Sequence, residues 1–344
     1  MKTIMASFLT LAVCAASYGV EIYDNTGGYQ GVHYIYNTDN ETVSESIDGS
    51  VAGYPKPDWI KINYASGGNA SKNEKSMTLT VANGVNVVAN TQFVTNNATV
   101  NFMGNNNINL KSLSAKFGGT IYVGKDSIFH ADEMSLNSDA TIIFDGVKDI
   151  TVGYMTKIGA VNNDTENEST LILRNGSTMT IERANKYTYI NNIGANVRLE
   201  EGSVLNINSK VDTNSEIYVG SGATLNVAGS LKTRQDLIVA SDAKVNAKSS
   251  ITFDNLVVEF DENITQDLVK DFDFSSIFGE NATVVTSALD NNFTIVGKNG
   301  TFDASFDSST GDIVVPTAPV PEPATVAALL GAVALSFAVL RRRK

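Results

Sequence analysis

Apolar and polar residues alternate along the middle of the chain in a pattern of eleven positions. Apolar residues occupy positions 1, 3, 9 and usually 11, and a Gly-, Ser- or Asp-containing turn occupies positions 4 to 7. The clearest copies begin at Val197, Ile217 and Leu237, which are spaced by 20 residues. Looser copies begin at Ile121 and Leu171, and a further copy begins at Leu79. Alternation on both sides of a turn predicts two strands that meet at a corner.

The positions predicted to face inward are the apolar members of these copies. In the clear copies they are Val197, Leu199, Leu205 and Ile207; Ile217, Val219, Leu225 and Val227; and Leu237, Val239, Val245 and Ala247. In the looser copies they are Ile121, Val123, Phe129 and Ala131, and then Leu171, Leu173, Met179 and Ile181.

A fixed repeat of 20 residues indicates a solenoid in which each repeat forms one coil and coils bury their apolar sides against each other. We therefore predict an all-β right-handed parallel β-helix over residues 79–260, in preference to a β-sandwich. The stretch has room for about nine coils, or about 40 Å at about 4.8 Å per coil. Uneven spacing before Val197 indicates inserted loops or coils that the pattern misses. The absence of proline between Asp58 and Val315 agrees with continuous ladders.

Both flanks of the solenoid are predicted to be caps. Residues 20–78 are rich in tyrosine and glycine and lack the repeat. In residues 261–315, apolar residues from Ile264 to Ile277 recur at helical spacing, although the segment 271–276 also suits a strand. Strands are then predicted at Thr283–Val285, Phe293–Val296, Thr301–Phe306 and Asp312–Val315. Such caps would cover the open sheet edges.

The first 19 residues have the layout of a secretory signal peptide, with Lys2 before an apolar run that ends in small residues. Cleavage after Ala16, Ser17 or Gly19 is compatible with the sequence. Cys14 is the only cysteine, so the mature chain is expected to have no disulfide. A lipid-modified Cys14 is the alternative, which the bulky Val13 disfavours.

Residues 316–344 predict a linker, a membrane span and a cationic tail. The linker, 316–323, contains four of the six prolines and should be extended. Residues 324–340 are uncharged and would span about 26 Å as a helix, slightly less than a bilayer core. Arg341, Arg342, Arg343 and Lys344 follow and should stay in the cytoplasm, which places the body on the other side of the membrane.

Pro321, Glu322 and Pro323 directly precede this apolar segment and cationic tail. The three parts in this order resemble the PEP-CTERM sorting signal, over residues 320–344. The resemblance implies export to the surface or matrix of a Gram-negative bacterium. It also implies processing at Pro-Glu-Pro by exosortase, a membrane-embedded cysteine transpeptidase. The body resembles autotransporter-passenger-like proteins in architecture.

Charge narrows the classes of partner. The formal net charge is −12, but five of the 25 basic residues lie in the two end segments. The remaining 20 basic residues face 37 acidic ones, a net charge of −17. Because such a surface repels phosphate, no nucleic-acid partner is expected. The expected partners are exosortase, signal peptidase, the secretion translocon and membrane lipid, with polysaccharide as a candidate ligand.

Few residue types suit catalysis or metal binding. The two histidines are far apart, and His130 is predicted to face outward at position 10. Asn206, Asn226 and Asn246 share that position and predict an external amide ladder, which is typical of a structural feature. Tyr122 and Tyr218 share outward position 2 and are candidates for contacting carbohydrate.

Acidic residues form clusters at Asp261 and Glu262 and at Asp267, Asp271 and Asp273. A solvated acidic surface is the interpretation we prefer, because neither calcium-binding spacing nor a carboxylate pair in a groove is evident. We therefore expect no catalytic residue, cofactor or metal site. The predicted function is a non-enzymatic cell-surface or matrix protein. The alternatives are a β-helical polysaccharide lyase or glycosidase, and a self-assembling surface layer.

Overall fold

The computed structural model describes residues 19–25, 29–36, 40–47, 59–63, 76–137, 139–156, 169–183, 195–287, 289, 293–307 and 312–316. The predicted signal peptide up to residue 18, the membrane span and the cationic tail lie outside the described residues.

Twenty-nine strands occur within the described residues. They are β1 Gly19–Asn25, β2 Tyr29–Tyr36, β3 Glu41–Val43, β4 Trp59–Ile62, β5 Met77–Val81, β6 Asn86–Ala89, β7 Gln92–Asn96, β8 Ala98–Phe102, β9 Asn107–Lys116, β10 Thr120–Val123, β11 Ile128–Leu136, β12 Thr141–Asp145, β13 Asp149–Thr156, β14 Thr170–Arg174, β15 Thr178–Ile181, β16 Asn196–Leu199, β17 Val204–Ile207, β18 Val211–Thr213, β19 Ile217–Val219, β20 Thr224–Val227, β21 Leu231–Thr233, β22 Asp236–Ala240, β23 Lys244–Ala247, β24 Ile251–Thr252, β25 Asn255–Glu259, β26 Phe293–Gly297, β27 Gly300–Asp303, β28 Ser305–Asp307 and β29 Asp312–Val314. The helices are α1 Gln266–Lys270, α2 Ser275–Phe278, a 3₁₀ helix Gly279–Asn281 and α3 Ala282–Ser287.

Most strands belong to two long sheets. Sheet A has the order β1-β2-β4-β7-β9-β11-β13-β15-β17-β20-β23, with β6 also beside β9. Sheet B has the order β27-β26-β25-β22-β19-β16-β14-β12-β10-β8-β5-β3. From β8 to β23 strands of sheet B alternate with strands of sheet A, apart from β18 and β21, which belong to a separate short sheet. We call one such pair a level.

Neighbouring levels pair in parallel and in the register of the sequence repeat. Val197 lies beside Ile217, and Ile217 lies beside Leu237. Among the described strands, antiparallel pairs occur at β1 with β2, β26 with β27, and β28 with β29. A β-sandwich would pair its strands antiparallel. The prediction of an all-β fold is therefore confirmed, and the mostly parallel sheets are consistent with a β-helix-like fold.

The apolar positions of the repeat form the core between the sheets. Every inward residue predicted from the five copies beginning at Ile121, Leu171, Val197, Ile217 and Leu237 is at most 4% exposed. Aliphatic side chains buried at this density supply the main favourable term for stacking the levels.

The uneven spacing before Val197 has both of the causes that the sequence left open. Two levels were missed, because Val100 and Ile142 lie beside Ile121 on either side of it in sheet B. These levels advance by 21 residues. The longer steps from Ile142 to Leu171 and from Leu171 to Val197 include residues 157–168 and 184–194, which lie outside the described residues.

The corners between the two strands of a level need unusual backbone angles. Gly202 and Gly222 have φ values of 67° and 63°, in the left-handed region that glycine adopts at little cost. They lie in the turns that the sequence predicted after the strands β16 and β19.

A third, short side closes the last levels. Sheet C contains β18, β21 and β24 in parallel. Its inward residues Val211, Leu231 and Ile251 are at most 2% exposed. The Thr233 hydroxyl is buried and donates a hydrogen bond to the Ser215 carbonyl at 2.8 Å, so the polar group at this corner is satisfied.

Helices cover the end of sheet A. The Leu268 N–H donates to the Thr265 hydroxyl at the start of α1. Helix α2 begins within the segment 271–276, which the sequence left open between helix and strand, and ends at Phe278. The strand predicted at Thr283–Val285 is wrong, because these residues belong to α3. Val285 is fully buried, so packing overrides the strand preference of β-branched residues.

The N-terminal region also contributes to both sheets. Strand β4 pairs in parallel with β2 and β7, and β3 pairs in parallel with β5. The hairpin of β1 and β2 forms one end of sheet A, and the hairpin of β26 and β27 forms one end of sheet B.

Candidate functional site

Three asparagines form a hydrogen-bonded row on the outer face of sheet A. Asn226 pairs with Asn206 and with Asn246 in the parallel register. The Asn226 amide N–H donates to Asn206 Oδ1 at 2.8 Å, and the Asn246 amide N–H donates to Asn226 Oδ1 at 2.9 Å. The predicted external ladder is therefore present. The row continues toward the N-terminus through Thr180 and Thr151.

The C-terminal helices turn this face into a groove, because α2 and the 3₁₀ helix lie against β23. Phe278 is fully buried there, and the Asn281 side-chain amide donates to the Ala247 carbonyl. We call the resulting concave surface, of about 530 Å³, the amide groove. It is lined by Asn206, Ile207, Asn208, Asn226, Val227, Ala228, Asn246, Ala247, Lys248, Phe278, Glu280 and Asn281.

The chemistry of the amide groove is polar and mostly uncharged. Asn206 and Asn226 are half-buried, whereas Asn246, Lys248 and Glu280 are exposed. Each primary amide carries two N–H donors and two acceptor lone pairs. The groove can therefore donate and accept hydrogen bonds along its length, and its volume lies within the usual range for ligand clefts.

A second groove, of about 400 Å³, lies on sheet A near β11 and β13 and carries charged groups. It is lined by Thr91, Lys111, Ser112, Asp132, Glu133, Tyr154 and Arg183. The Tyr154 hydroxyl donates to Glu133 Oε2 at 3.1 Å, and the Arg183 guanidinium lies 5.5 Å from the Tyr154 ring centroid. Tyr154 thus contacts both Glu133 and Arg183.

Backbones approach closely at this second groove. A Cβ placed on Gly153 would collide with the Asp132 carbonyl oxygen, so only glycine fits at this position without a shift of the backbone. His130 faces outward, as predicted, and its Nε2 lies 3.4 Å from an Asp132 carboxylate oxygen. The repeat pattern did not identify this groove, because it brings together residues from several levels and from beyond position 11.

On the outer face of sheet B, Tyr122 belongs to a charged cluster. Its hydroxyl donates to Asp145 at 3.0 Å, and the Arg174 guanidinium forms an ion pair with the same carboxylate at 2.7 Å. Burial by itself raises the pKa of Asp145, but hydrogen bonds from Asn175, Arg174 and Tyr122 outweigh it and leave the pKa below its ordinary value. Burial and then the Asp145 hydrogen bond raise the pKa of Tyr122.

Tyr218 has a similar arginine partner. The Arg198 guanidinium lies 4.1 Å from the Tyr218 ring centroid, within the range of a cation–π contact. Burial raises the pKa of Tyr218, and the charge of Glu259 adds to that effect. Arginine therefore lies against both tyrosines that the sequence nominated for carbohydrate contact.

Glu216 is on the same face. Burial raises its pKa, and the negative charges of Asp236 and Glu259 raise it further.

The acidic clusters found in the sequence lie on the surface. The Asp261 side chain is 98% exposed and pairs with Lys298 at 2.9 Å. Hydrogen bonds from the Ser275 hydroxyl and backbone N–H lower the pKa of Asp273, where the carboxylate precedes α2. Within the described ranges, no group of three or more His, Cys, Asp or Glu side chains could hold a metal ion.

The sorting residues predicted from the sequence, Pro321, Glu322 and Pro323, and the cations Arg341, Arg342, Arg343 and Lys344 lie outside the described residues. In the described part of the chain, no helix has the length and apolar character needed to cross a membrane. The question of sorting therefore depends on comparison with known families.

Residues 319–344 match the PEP-CTERM protein-sorting motif. The PEP-CTERM motif implies export, a C-terminal membrane anchor and an exosortase as the processing partner. The match covers the C-terminal end and does not extend to the β-rich body. No curated protein and no solved structure matched the chain.

Proposed function

We propose that the chain is a non-enzymatic structural protein of the surface or extracellular matrix of a Gram-negative bacterium, with a right-handed parallel β-helix as its exported body. The observation that carries the proposal is the PEP-CTERM match at residues 319–344, joined to a body of stacked parallel strands. Stacked strands give a long, rigid surface from a short repeat, which suits a scaffold outside the cell.

The order of processing follows from the predicted segments. A signal peptidase acts on residues 1–19 during export through the translocon. The apolar segment 324–340 then holds the chain in the inner membrane, with Arg341 to Lys344 in the cytoplasm. The exosortase reaches Pro321, Glu322 and Pro323 in the extended linker and processes the chain there.

Replacement of Pro321, Glu322 and Pro323 by alanine tests the sorting step. In a host with an exosortase, the wild-type chain should lose its C-terminal segment, and the triple variant should retain it in the membrane fraction. Mass spectrometry of the C-terminal peptide measures both outcomes. Pro316→Ala is the matched control, because it changes a linker proline outside the tripeptide. Equal processing of the triple variant would contradict the proposal.

A polysaccharide lyase or glycosidase is the alternative, and the second groove is the observation that favours it. The groove contains Asp132, Glu133 and Lys111, which are residue types that acid–base chemistry uses. Against an enzyme, Glu133 accepts a hydrogen bond from Tyr154, and Arg183 packs on that ring, so these groups already stabilise each other.

Incubation of the purified chain with neutral and uronate polysaccharides separates the two functions. A non-enzymatic protein releases no reducing ends and no unsaturated products. Turnover that Glu133→Gln abolishes, and that the exposed-carboxylate control Glu201→Gln leaves intact, would replace the structural proposal with the enzymatic one.

A further inference from the structure

We propose that the amide groove binds an extended, uncharged, β-linked polysaccharide that lies along the stacking direction of the strands. The inference deepens the proposed function and rests on it, because a protein sorted to the cell surface meets such polymers there. The wall that α2 and the 3₁₀ helix add beside the asparagines is the feature that distinguishes this groove from an open sheet face.

The spacing of the ladder suits a polymer. Each of Asn206, Asn226 and Asn246 comes from a separate strand, and parallel strands are about 4.8 Å apart. That distance is close to the advance per sugar of an extended β-linked glycan. A glycan chain aligned with the ladder would therefore meet one amide for each sugar over three levels.

The amides retain hydrogen-bonding capacity after they bind each other. Asn226 donates one N–H to Asn206 and accepts one from Asn246. Its second N–H and remaining lone pairs are not used by those two bonds. Sugar hydroxyls both donate and accept, so they match such a row. Because the ladder already orders the side chains, binding costs little further conformational entropy.

Charge decides which glycans fit. The ladder itself is neutral, and Lys248 and Glu280 carry opposite charges in the lining of the groove. The exported body has 20 basic and 37 acidic residues, so a polyuronate would be repelled. An uncharged chain avoids this repulsion.

The test uses isothermal titration calorimetry of the full-length chain in a detergent without sugar headgroups. The ligands are a β-1,4-linked glucose hexamer, the corresponding dimer, an α-1,4-linked glucose hexamer and a β-1,4-linked glucuronate hexamer, which changes the charge but keeps the linkage. The β-linked hexamer should bind about tenfold more tightly than the dimer, because it contacts several amides at once. The α-linked glucose hexamer and the β-linked glucuronate hexamer should both bind more weakly than the β-linked glucose hexamer.

Asn226→Thr should weaken binding of the β-linked hexamer about fivefold, the effect of about one hydrogen bond. Threonine occupies the same row at positions 180 and 151, so the strand should tolerate it. The matched control is Asn109→Thr. Asn109 is exposed, lies beside His130 in the same row and is remote from the groove, so this variant should bind like the wild type.

Three results would overturn the inference. They are absence of binding to the β-linked glucose hexamer, equally tight binding of the α-linked glucose hexamer or the β-linked glucuronate hexamer, and unchanged affinity in Asn226→Thr. The last result would show that the ladder is purely structural. Because the assay needs neither exosortase nor export, its failure is distinguishable from failure of the sorting proposal, which the C-terminal peptide reports.

Discussion

The first and last levels of the stack pair in the same register, but their strands in sheet A differ in length. Strands β9, β11 and β13 contain 10, 9 and 8 residues and run without a break. In the last levels, β17, β20 and β23 contain four residues each, and a turn then sends the chain into sheet C. The break creates the third side of the stack.

The two regions also differ in what fills the interior. Phe129 and Phe144 pack edge to face at 5.0 Å in the first levels, whereas the last levels contain leucine, isoleucine, valine and alanine. The side-chain polar atoms of Asn96 and Asn137 are buried in the first region without a hydrogen-bond partner among the described residues. Buried polar groups are not confined to the first region, because Ser203 Oγ in the last levels is also buried without a partner among the described residues.

The largest expected effect comes from Phe129→Ala. Phe129 is 1% exposed, so truncation removes buried area, an aromatic contact and packing volume, and should cost about 3–5 kcal/mol in free energy of unfolding. Chemical denaturation measures this loss of stability. Phe129→Leu should keep more than half of the stabilisation that Phe129→Ala removes. Hydrogen exchange should accelerate in the first levels and remain slow in β20 and β23. Equal acceleration everywhere would show that the two regions unfold together.

A smaller effect is expected from Asp145→Asn in the first region. The variant loses the ion pair with Arg174 and should be about 1.5–3 kcal/mol less stable at pH 7. The fold lowers the pKa of Asp145 below its ordinary value of 3.8. The wild type therefore has the full stabilisation from the ion pair above pH 3.8 and loses this stabilisation as the pH falls through the folded pKa. Denaturation midpoints from pH 2 to 7 test this.

The Asp145→Asn variant should lack that part of the acid dependence. Asp242→Asn, at an exposed corner of the last region, is the control and should change stability little. If both variants follow the same pH profile as the wild type, the Asp145 cluster does not stabilise the first region.

The smallest effect, with the opposite pH dependence, is expected from Glu216→Gln in the last region. The fold raises the pKa of Glu216 above 4.5, so its ionised form becomes unfavourable as the pH rises through that range. The variant should gain at most about 1 kcal/mol at pH 7, because partial exposure screens the charge. The gain should vanish near pH 4, whereas exposed Glu201→Gln should show none. A loss of stability at pH 7 would contradict this.

The inward residues of the stack could be predicted from the sequence, because the alternation of apolar and polar residues along a strand follows the alternation of buried and exposed side chains. Two levels escaped the pattern for local reasons. Met103 is 54% exposed at one corner, where a polar residue was expected. In the other level, Ile143 is an apolar residue at an outward position of β12, so apolar and polar residues do not alternate there.

Contacts between distant segments were not predictable. Phe278 packs near β23, and Asn281 donates to Ala247, although 34 residues separate the last two. No spacing in the sequence indicates this approach, so the ladder was predictable and the groove was not. The cluster of Tyr154 with Arg183 was missed for the same reason.

The equal rise of the levels has a consequence for the length of the molecule. Each internal strand pairs with the one before and the one after it in its sheet, so adding or deleting one 20-residue unit leaves the other pairings unchanged. The stack can therefore grow or shrink in whole steps of about 4.8 Å. Duplication of one unit would lengthen it by one step and leave the two ends of each sheet as they are.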